Sequence, residues 1–368
     1  MYALTPRRLL AGPVIAMMLT PAILRADGDS ATTGPPSSII EFLPILSYDT
    51  DVGLGLGAKA VFRGQLGSEE SFDVVLFNST KGERWYRFVF SLPDIELRQG
   101  KHYPIAIDLV VDYDKWISNS FFGVGPGSKY SDKSQYTKEP LDISITASRG
   151  FSAEAVGQFG LRFRSVRNFD IPANSLLSTT PPALNSGRIG YASFFGTFRY
   201  DTRNSFINPS DGLVVQAEAE GVPAISMNTI SGARFALWIQ HYAPLIFPRI
   251  VAALRLGLQG VSGNSLPVQF LESLGGNGTL RGFSEDRFLD RVAVVFNAEL
   301  RIPIIWRFEG ILGADAGEVA GSLRTLNTRW KGNPVVGLRL LMETFVVRAD
   351  VGFGNETTGF YLNFGQLF

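Results

Sequence analysis

No cysteine occurs among the 368 residues. Disulfides, thiolate metal sites and a cysteine nucleophile are therefore excluded. Histidine is scarce as well, with only His102 and His241. They lie far apart, and the chain holds neither an H-E-x-x-H pattern nor a G-x-S-x-G nucleophile turn. No catalytic residue, metal or cofactor is expected. Net charge is also missing, since 34 Lys+Arg balance 34 Asp+Glu. A balanced chain has no electrostatic footprint for nucleic acid. Beyond the N-terminus no apolar run approaches the ~20 residues that a membrane-spanning helix needs.

The N-terminus itself is informative. Arg7 and Arg8 precede an apolar stretch from Leu9 to Leu24, broken by Pro13 and Pro21, and Ala26 offers a small residue for cleavage. This is the layout of a secretory signal peptide. We expect a signal peptide over 1–26, a flexible leader over 27–38 (DGDSATTGPPSS) and a single domain over 39–368.

What the domain does contain is glycine and aromatics, with 39 Gly, 28 Phe and 11 Tyr. Apolar residues recur with period two rather than 3.6. Phe159, Leu161 and Phe163 alternate with Arg162 and Arg164; Leu254, Leu256 and Leu258 alternate with Arg255, Gly257 and Gln259. About sixteen such segments follow one another, many of them as long as or a little longer than the ~9–11 residues of a tilted transmembrane strand. The longest gaps, 114–139, 262–290 and 318–333, all fall between an odd strand and the next even one, as does 169–188. Long loops on one side and short turns on the other are the asymmetry of an outer-membrane barrel. The fold class is therefore all-β, a single antiparallel transmembrane β-barrel of about sixteen strands. Tyr103, Trp116, Trp306 and Tyr361, near strand ends, are expected in the interfacial aromatic girdles. Acidic pairs such as Asp112/Asp114 and Glu285/Asp286 are expected on loop rims.

One stretch stands apart, the glycine-rich Gly275 to Arg291 (GGNGTLRGFSEDRFLDR) in the sixth outside loop. It lacks the spacing of a phosphate-binding loop, and no helix follows it. A loop this long needs a reason to stay ordered. Glu299 and Asp315 fall on the non-apolar parity of the next two strands, so a loop folded into the lumen brings Arg281 to both. The guanidinium fork suits bidentate carboxylate bonding. The last strand, 357–368, places Phe360, Leu362, Phe364 and Phe368 on one apolar face and ends on an aromatic.

Leu280-Arg281-Gly282-Phe283, Asn297-Ala298-Glu299-Leu300-Arg301-Ile302-Pro303 and Gly313-Ala314-Asp315-Ala316-Gly317 together resemble motifs of the BamA/TamA superfamily of outer-membrane barrels, known as bacterial surface antigen domains. Asp201, Arg203, Pro209 and Gly212 resemble a periplasmic turn motif of that family. The resemblance implies the same internal clasp of Arg281, Gly282 and Phe283 on Glu299 and Asp315. It implies a C-terminal strand read by the barrel-assembly machinery, of which this protein is then a client. It also implies insertion or translocation of proteins at the cell outer membrane, in contact with its lipids. The family's periplasmic POTRA domains have no counterpart in the short leader, so a separate periplasmic partner is expected to take their place. The alternative is a passive channel or a structural barrel. Pro44, in the first strand, lacks a ladder donor and favours a weak seam with the last strand.

Overall fold

The computed structural model describes residues 14–15, 38–49, 53–80, 82–181, 187–245, 250–264, 266–326, 329–343 and 345–368. Most of the expected signal peptide and leader lies outside them. A two-residue strand, Val14–Ile15, pairs with Ser47 and Leu46.

Among the described residues, sixteen strands beyond Val14–Ile15 make one sheet. They are β1 (Ile39–Asp49), β2 (Gly53–Arg63), β3 (Ser71–Ser79), β4 (Arg84–Leu92), β5 (Tyr103–Phe121), β6 (Ser134–Gly150), β7 (Ala155–Phe169) and β8 (Arg188–Asp201) in the first half. The second half has β9 (Gly212–Val222), β10 (Gly232–Pro244), β11 (Val251–Ser262), β12 (Val292–Ile305), β13 (Phe308–Ala320), β14 (Lys331–Leu341), β15 (Val346–Phe353) and β16 (Thr358–Phe364). Each pairs antiparallel with the next, from β1 through to β16. No helix among the described residues is long and apolar enough to cross a membrane.

The sheet is inside-out by the standard of a soluble protein. Leu254 and Leu256 are exposed, whereas Arg255 between them is buried. Phe159 and Leu161 are exposed, and the Arg162 side chain is nearly buried. Alternation with apolar groups outside and charges inside is stable only where lipid meets the outer face. The connections keep the expected asymmetry. The longest, 263–291, 170–187 and 122–133, share one end of the barrel, and the opposite end has turns as tight as 306–307 and 151–154. We call these the outer and the periplasmic ends.

Four details differ from the expectation. β5 and β6 run on to Phe121 and back from Ser134, into the stretch 114–139 expected as a gap. The charged residues Asp114, Lys115, Lys138 and Glu139, read as loop, lie on ladders that continue above the apolar band across a register shift between Trp116 and Asn119. Asp112 is accordingly on a strand wall, paired with Arg87 at 2.9 Å, and not on a rim. Tyr103 is buried, its hydroxyl donating to Ser148 Oγ at 3.2 Å, and the Tyr361 hydroxyl donates to the Phe283 carbonyl at 3.4 Å. Both contact the interior and do not belong to a lipid girdle.

The fourth detail is the C-terminus. β16 stops at Phe364, and Gly365 turns the chain at φ +82 while its N–H donates to the Val346 carbonyl. A backbone at that φ favours glycine. The turn breaks the parity that put four residues on one face. Phe360 is exposed and Leu362 half-buried, but Phe368 packs inside against Val214, Tyr242 and Ala253. The Phe364 side chain is outside the described set.

A charge on the outer face near mid-strand should be costly. We expect Leu256→Arg to destabilise the folded barrel by about 2–4 kcal/mol in urea titrations in lipid. An unchanged midpoint would mean that this face does not meet hydrocarbon.

Candidate functional site: the loop clasp in the lumen

The sixth outer loop folds back on itself before it docks. Glu272–Leu274 and Phe288–Asp290 form a short antiparallel ribbon. Between them, the Gly275 N–H donates to Thr279 Oγ1 at 2.8 Å and the Gly276 N–H to the Phe283 carbonyl at 2.8 Å. The loop's apolar residues then find partners. Leu274, Leu280, Phe283 and Phe288 pack against Trp238, Val295 and Val319 of the wall. Val268, Phe270, Leu271 and Leu289 join a second cluster with Tyr191, Ile189 and Val166. Contacts reach the wall from β5 round to β16, which places the loop in the lumen rather than over it.

Arg281 is at the centre and is fully buried. Its Nε and Nη2 donate to Asp315 Oδ2 and Oδ1 at 3.0 and 2.8 Å, a two-pronged fork. Its backbone N–H donates to the same carboxylate at 3.0 Å. Its Nη1 donates to Glu299 Oε1 at 2.6 Å and to Asp350 Oδ2 at 3.0 Å. One guanidinium thus ties the loop to β12, β13 and β15. The carboxylates are satisfied in turn. Asn297 and Asn333 donate to Asp315 at 2.7 and 3.2 Å. Arg339 donates to Asp350 at 2.5 Å and to Glu299 at 3.2 Å. Arg301 pairs with Glu299 at 3.4 Å. Burying these ions is tolerable because each carboxylate faces at least one guanidinium and accepts further hydrogen bonds from amide or guanidinium N–H groups.

Glycine completes the seat. A Cβ on Gly282 would lie 2.5 Å from the Gly354 nitrogen. A Cβ on Gly352 or Gly359 would overlap the Arg281 backbone, and one on Gly354 the Gly282 carbonyl. The Arg281–Gly282 backbone therefore rests directly on β15, on β16 and on the turn between them. Two further arginines hold the rest of the loop. Arg234 of β10 pairs with Glu272 at 3.1 Å and donates to the Phe270 carbonyl at 3.0 Å. Arg287 bonds Glu356 at 2.5 and 2.7 Å and Ser128 at 2.8 Å, with its guanidinium over the Phe122 and Phe288 rings.

The structure therefore brings Arg281, Gly282, Phe283, Glu299 and Asp315 together. Asp350, Arg339, Asn297, Asn333 and the glycines of β15 and β16 were not among the residues that the sequence singled out for this site. Asp350 sits beside Arg348 on a readable polar parity, and Gly352-Phe353-Gly354 is a visible signal of close backbone approach. The turn residues form a separate cluster at the periplasmic end. Asp201 accepts from Arg203 Nε and Nη2 at 2.9 and 2.8 Å and from Arg199 at 2.7 Å. Gly212 has φ +114, and a Cβ there would lie 2.5 Å from the Thr202 carbonyl. The Pro209 carbonyl accepts from Arg301 at 3.4 Å, so this turn touches the clasp through one arginine. His102 and His241 are exposed and outside both clusters. Asp286 bonds Lys138 at 3.2 Å instead of standing free on a rim.

An antiparallel sixteen-stranded sheet with an apolar outer face, a charged interior and its own sixth loop clasped inside defines a transmembrane β-barrel of the outer membrane. The Omp85 superfamily domain matches residues 54–368, and the chain belongs to that superfamily. Among solved structures it is similar to BamA from Haemophilus ducreyi lacking POTRA domains 1–3, at 14% identity and a TM-score of 0.65, covering 89% of this chain and 69% of that one. It is also similar to CdiB from Escherichia coli, at 12% identity and a TM-score of 0.59, covering 98% and 67%. CdiB from Acinetobacter baumannii gives 14% and 0.54, covering 88% and 58%. At these identities the likeness concerns the fold. No curated protein sequence matches the chain.

Arg281→Ala leaves three buried carboxylates short of a cation. We expect a loss of about 3–5 kcal/mol, read as a lowered temperature for the shift in heat-modifiable gel migration. Arg281→Lys should recover only part of it, because an ammonium cannot reproduce the fork. Gly359→Ala, which touches no charge, should also unseat the loop, read as faster hydrogen exchange over residues 275–291 than in the parent.

Proposed function

We propose that this barrel inserts or translocates polypeptides at the outer membrane, acting with a separate periplasmic partner. The observation that carries this reading is the course of the ladder. Every consecutive pair from β1 to β16 is joined, while no register among the described residues joins β1 to β16. The β1 end is laddered only at Leu46 and Ser47, by Val14–Ile15, so most of its edge is a lateral surface on which a client strand can pair. β1 carries Pro44, which cannot donate to such a ladder, and β16 is short. The clasped loop fits the same reading, since it keeps the lumen occupied while the edge is available. The barrel-assembly machinery would fold the protein itself, with Phe360, Leu362, Phe364 and Phe368 as the strand it reads.

A second reading, a passive channel, is favoured by the opposite wall. Lys59–Asp73, Arg87–Asp112 and Arg164–Asp142 pair at 3.1, 2.9 and 3.6 Å along β2 to β7. Their side chains stay partly exposed, up to 38% for Lys59, in contrast to 0% for the Arg281–Asp315 pair. A wetted charged wall beside a plug is a route for ions.

Deletion of the gene followed by quantification of outer-membrane and surface proteins tests the first reading. It expects specific clients to fall at least several-fold, and unchanged levels of all of them would overturn it. Planar-bilayer recording tests the second. It expects a conductance that rises when the loop is released by Arg281→Ala, and silence in both proteins would sink it.

A further inference from the structure

The lipid-facing side of the wall is not uniform at its outer end. Across five consecutive strands the outward positions there form one row: Arg84 of β4, Lys115 of β5, Glu139 of β6, Arg167 of β7 and Arg188 of β8. Arg84 is laddered to Lys115, Glu139 to Arg167 and Arg167 to Arg188. The pairs Tyr113–Leu141 and Trp116–Lys138, on either side, bring Lys115 opposite Glu139. Each residue of the row shares its parity with an exposed apolar residue of its own strand, in order Leu92, Ile107, Ile143, Phe163 and Phe194. Within the row four cations thus meet one carboxylate. Glu139 pairs with Arg167 at 2.9 Å and accepts from the Tyr113 hydroxyl at 2.7 Å. Along β9 to β16, by contrast, the outward parity holds no Lys or Arg among the described residues.

The order within the row matters. Arg84 stands directly opposite Lys115, and Arg167 directly opposite Arg188, although like charges so placed on neighbouring strands repel. Arg188 Nε donates to Ser165 Oγ at 3.2 Å, which leaves its charge unmet. Lys115 and Arg167 converge on one ring, at 5.7 and 4.2 Å from the Phe169 centroid. An anion along the row relieves both repulsions. The surface beneath decides which anion. The next outward residues toward mid-membrane include Tyr86 and Tyr113, stacked with their centroids 5.8 Å apart. Below these come Phe88, Val111, Ile143 and Phe163 on the apolar face. Aromatic residues between a charged row and an apolar band mark the head-group level of a bilayer. A soluble anion would use the cations alone. A lipid uses both parts, with its phosphates on the row and its acyl chains on the residues below. The strands tilt, so the row crosses the head-group level obliquely. Neighbouring strands are ~4.8 Å apart, which centres the two like-charged pairs roughly 14 Å from each other along the row.

We propose that the outer ends of β4 to β8 bind a phosphate-bearing lipid of the outer leaflet, with one phosphate on Arg84 and Lys115 and a second on Arg167 and Arg188. The long side chains lay their stems along the apolar face and lift their charges to the head groups. The site is independent of whether the barrel inserts clients. It also lies apart from the clasp. Arg281 ties the loop to β12, β13 and β15 from within, and the lipid holds β4 to β8 from outside.

The test uses the full chain in detergent micelles, titrated with fluorescent bisphosphorylated lipid A. Monophosphorylated lipid A and phosphatidylcholine are the comparison lipids, and pyrophosphate and a poly-glutamate peptide are the soluble competitors. We expect the bisphosphorylated lipid to bind at least tenfold tighter than phosphatidylcholine, with the monophosphorylated form between them. Replacing two cations together, Arg167→Gln with Arg188→Gln, should weaken that binding at least tenfold, and Lys115→Gln alone severalfold. Arg149→Gln, at an exposed arginine on the same outward parity but at the periplasmic end, should leave it unchanged. Heat-modifiable migration gives a second readout. Bisphosphorylated lipid A should raise the parent's transition temperature and leave that of the Arg167/Arg188 variant where it was. Equal affinity for the three lipids, full affinity in both row variants, or an equal loss in Arg149→Gln would overturn the proposal. So would complete displacement of the lipid by pyrophosphate or by poly-glutamate, which would make the row a site for free phosphate or for an acidic polypeptide.

Discussion

A guanidinium with no exposed surface in the middle of a barrel can persist only if its charge and its N–H groups are met. Arg281 meets that condition through Asp315, Glu299 and Asp350 at once. The fork onto Asp315 fixes the loop's position along β13, the contact to Asp350 fixes it against β15, and the Gly282 backbone then lies against glycines. Remove the charge and the carboxylates of three strands are left facing Arg339, Arg301 and one another. The seating of the loop's centre against β12, β13 and β15 therefore depends on one residue.

The inside-out pattern of the wall makes this arrangement possible. Lipid covers the apolar face, so the interior is free to hold charged side chains in pairs instead of a hydrophobic core. The loop brings its own apolar residues to compensate. Leu274, Leu280, Phe283 and Phe288 pack on Trp238 and Val295, while Arg234 and Arg287 fasten the flanks. Among the described residues the wall from β2 to β4 has no such packing over its charges, and the pairs Lys59–Asp73 and Arg87–Asp112 stay partly exposed. The lumen is thus two different environments, one dry and clasped, the other wet, which is why an insertion barrel and a channel both remain physical readings of one fold.

The strands were largely legible because period-two alternation is a direct consequence of the pleat. The parity of Glu299 and Asp315 was legible for the same reason. Asp350 was on a readable parity too, but parity gives a face and not a neighbour. Only the curvature of the barrel and the depth of the loop decide that Asp350 meets Arg281 while Arg348, two residues before it, reaches Asn277 at 2.7 Å. The outward runs of β5 and β6 were obscured because charged residues above the lipid band look like loop. Phe368 was misplaced because one left-handed glycine, Gly365, turns the chain inward after a regular strand. For Asp350 the missing information was tertiary, although the glycine platform left a trace in Gly352-Phe353-Gly354.

The most direct measurement is a distance between the loop and the periplasmic end. The chain has no cysteine, so two can be introduced, at Ser284 in the loop and Ser152 in the β6–β7 turn, and spin-labelled. Pulsed electron resonance in nanodiscs should give one narrow distance for the parent and a broad, longer distribution for Arg281→Ala. A broad distribution in the parent, or a narrow one that survives Arg281→Ala, would contradict the claim that this single arginine holds the loop in the lumen.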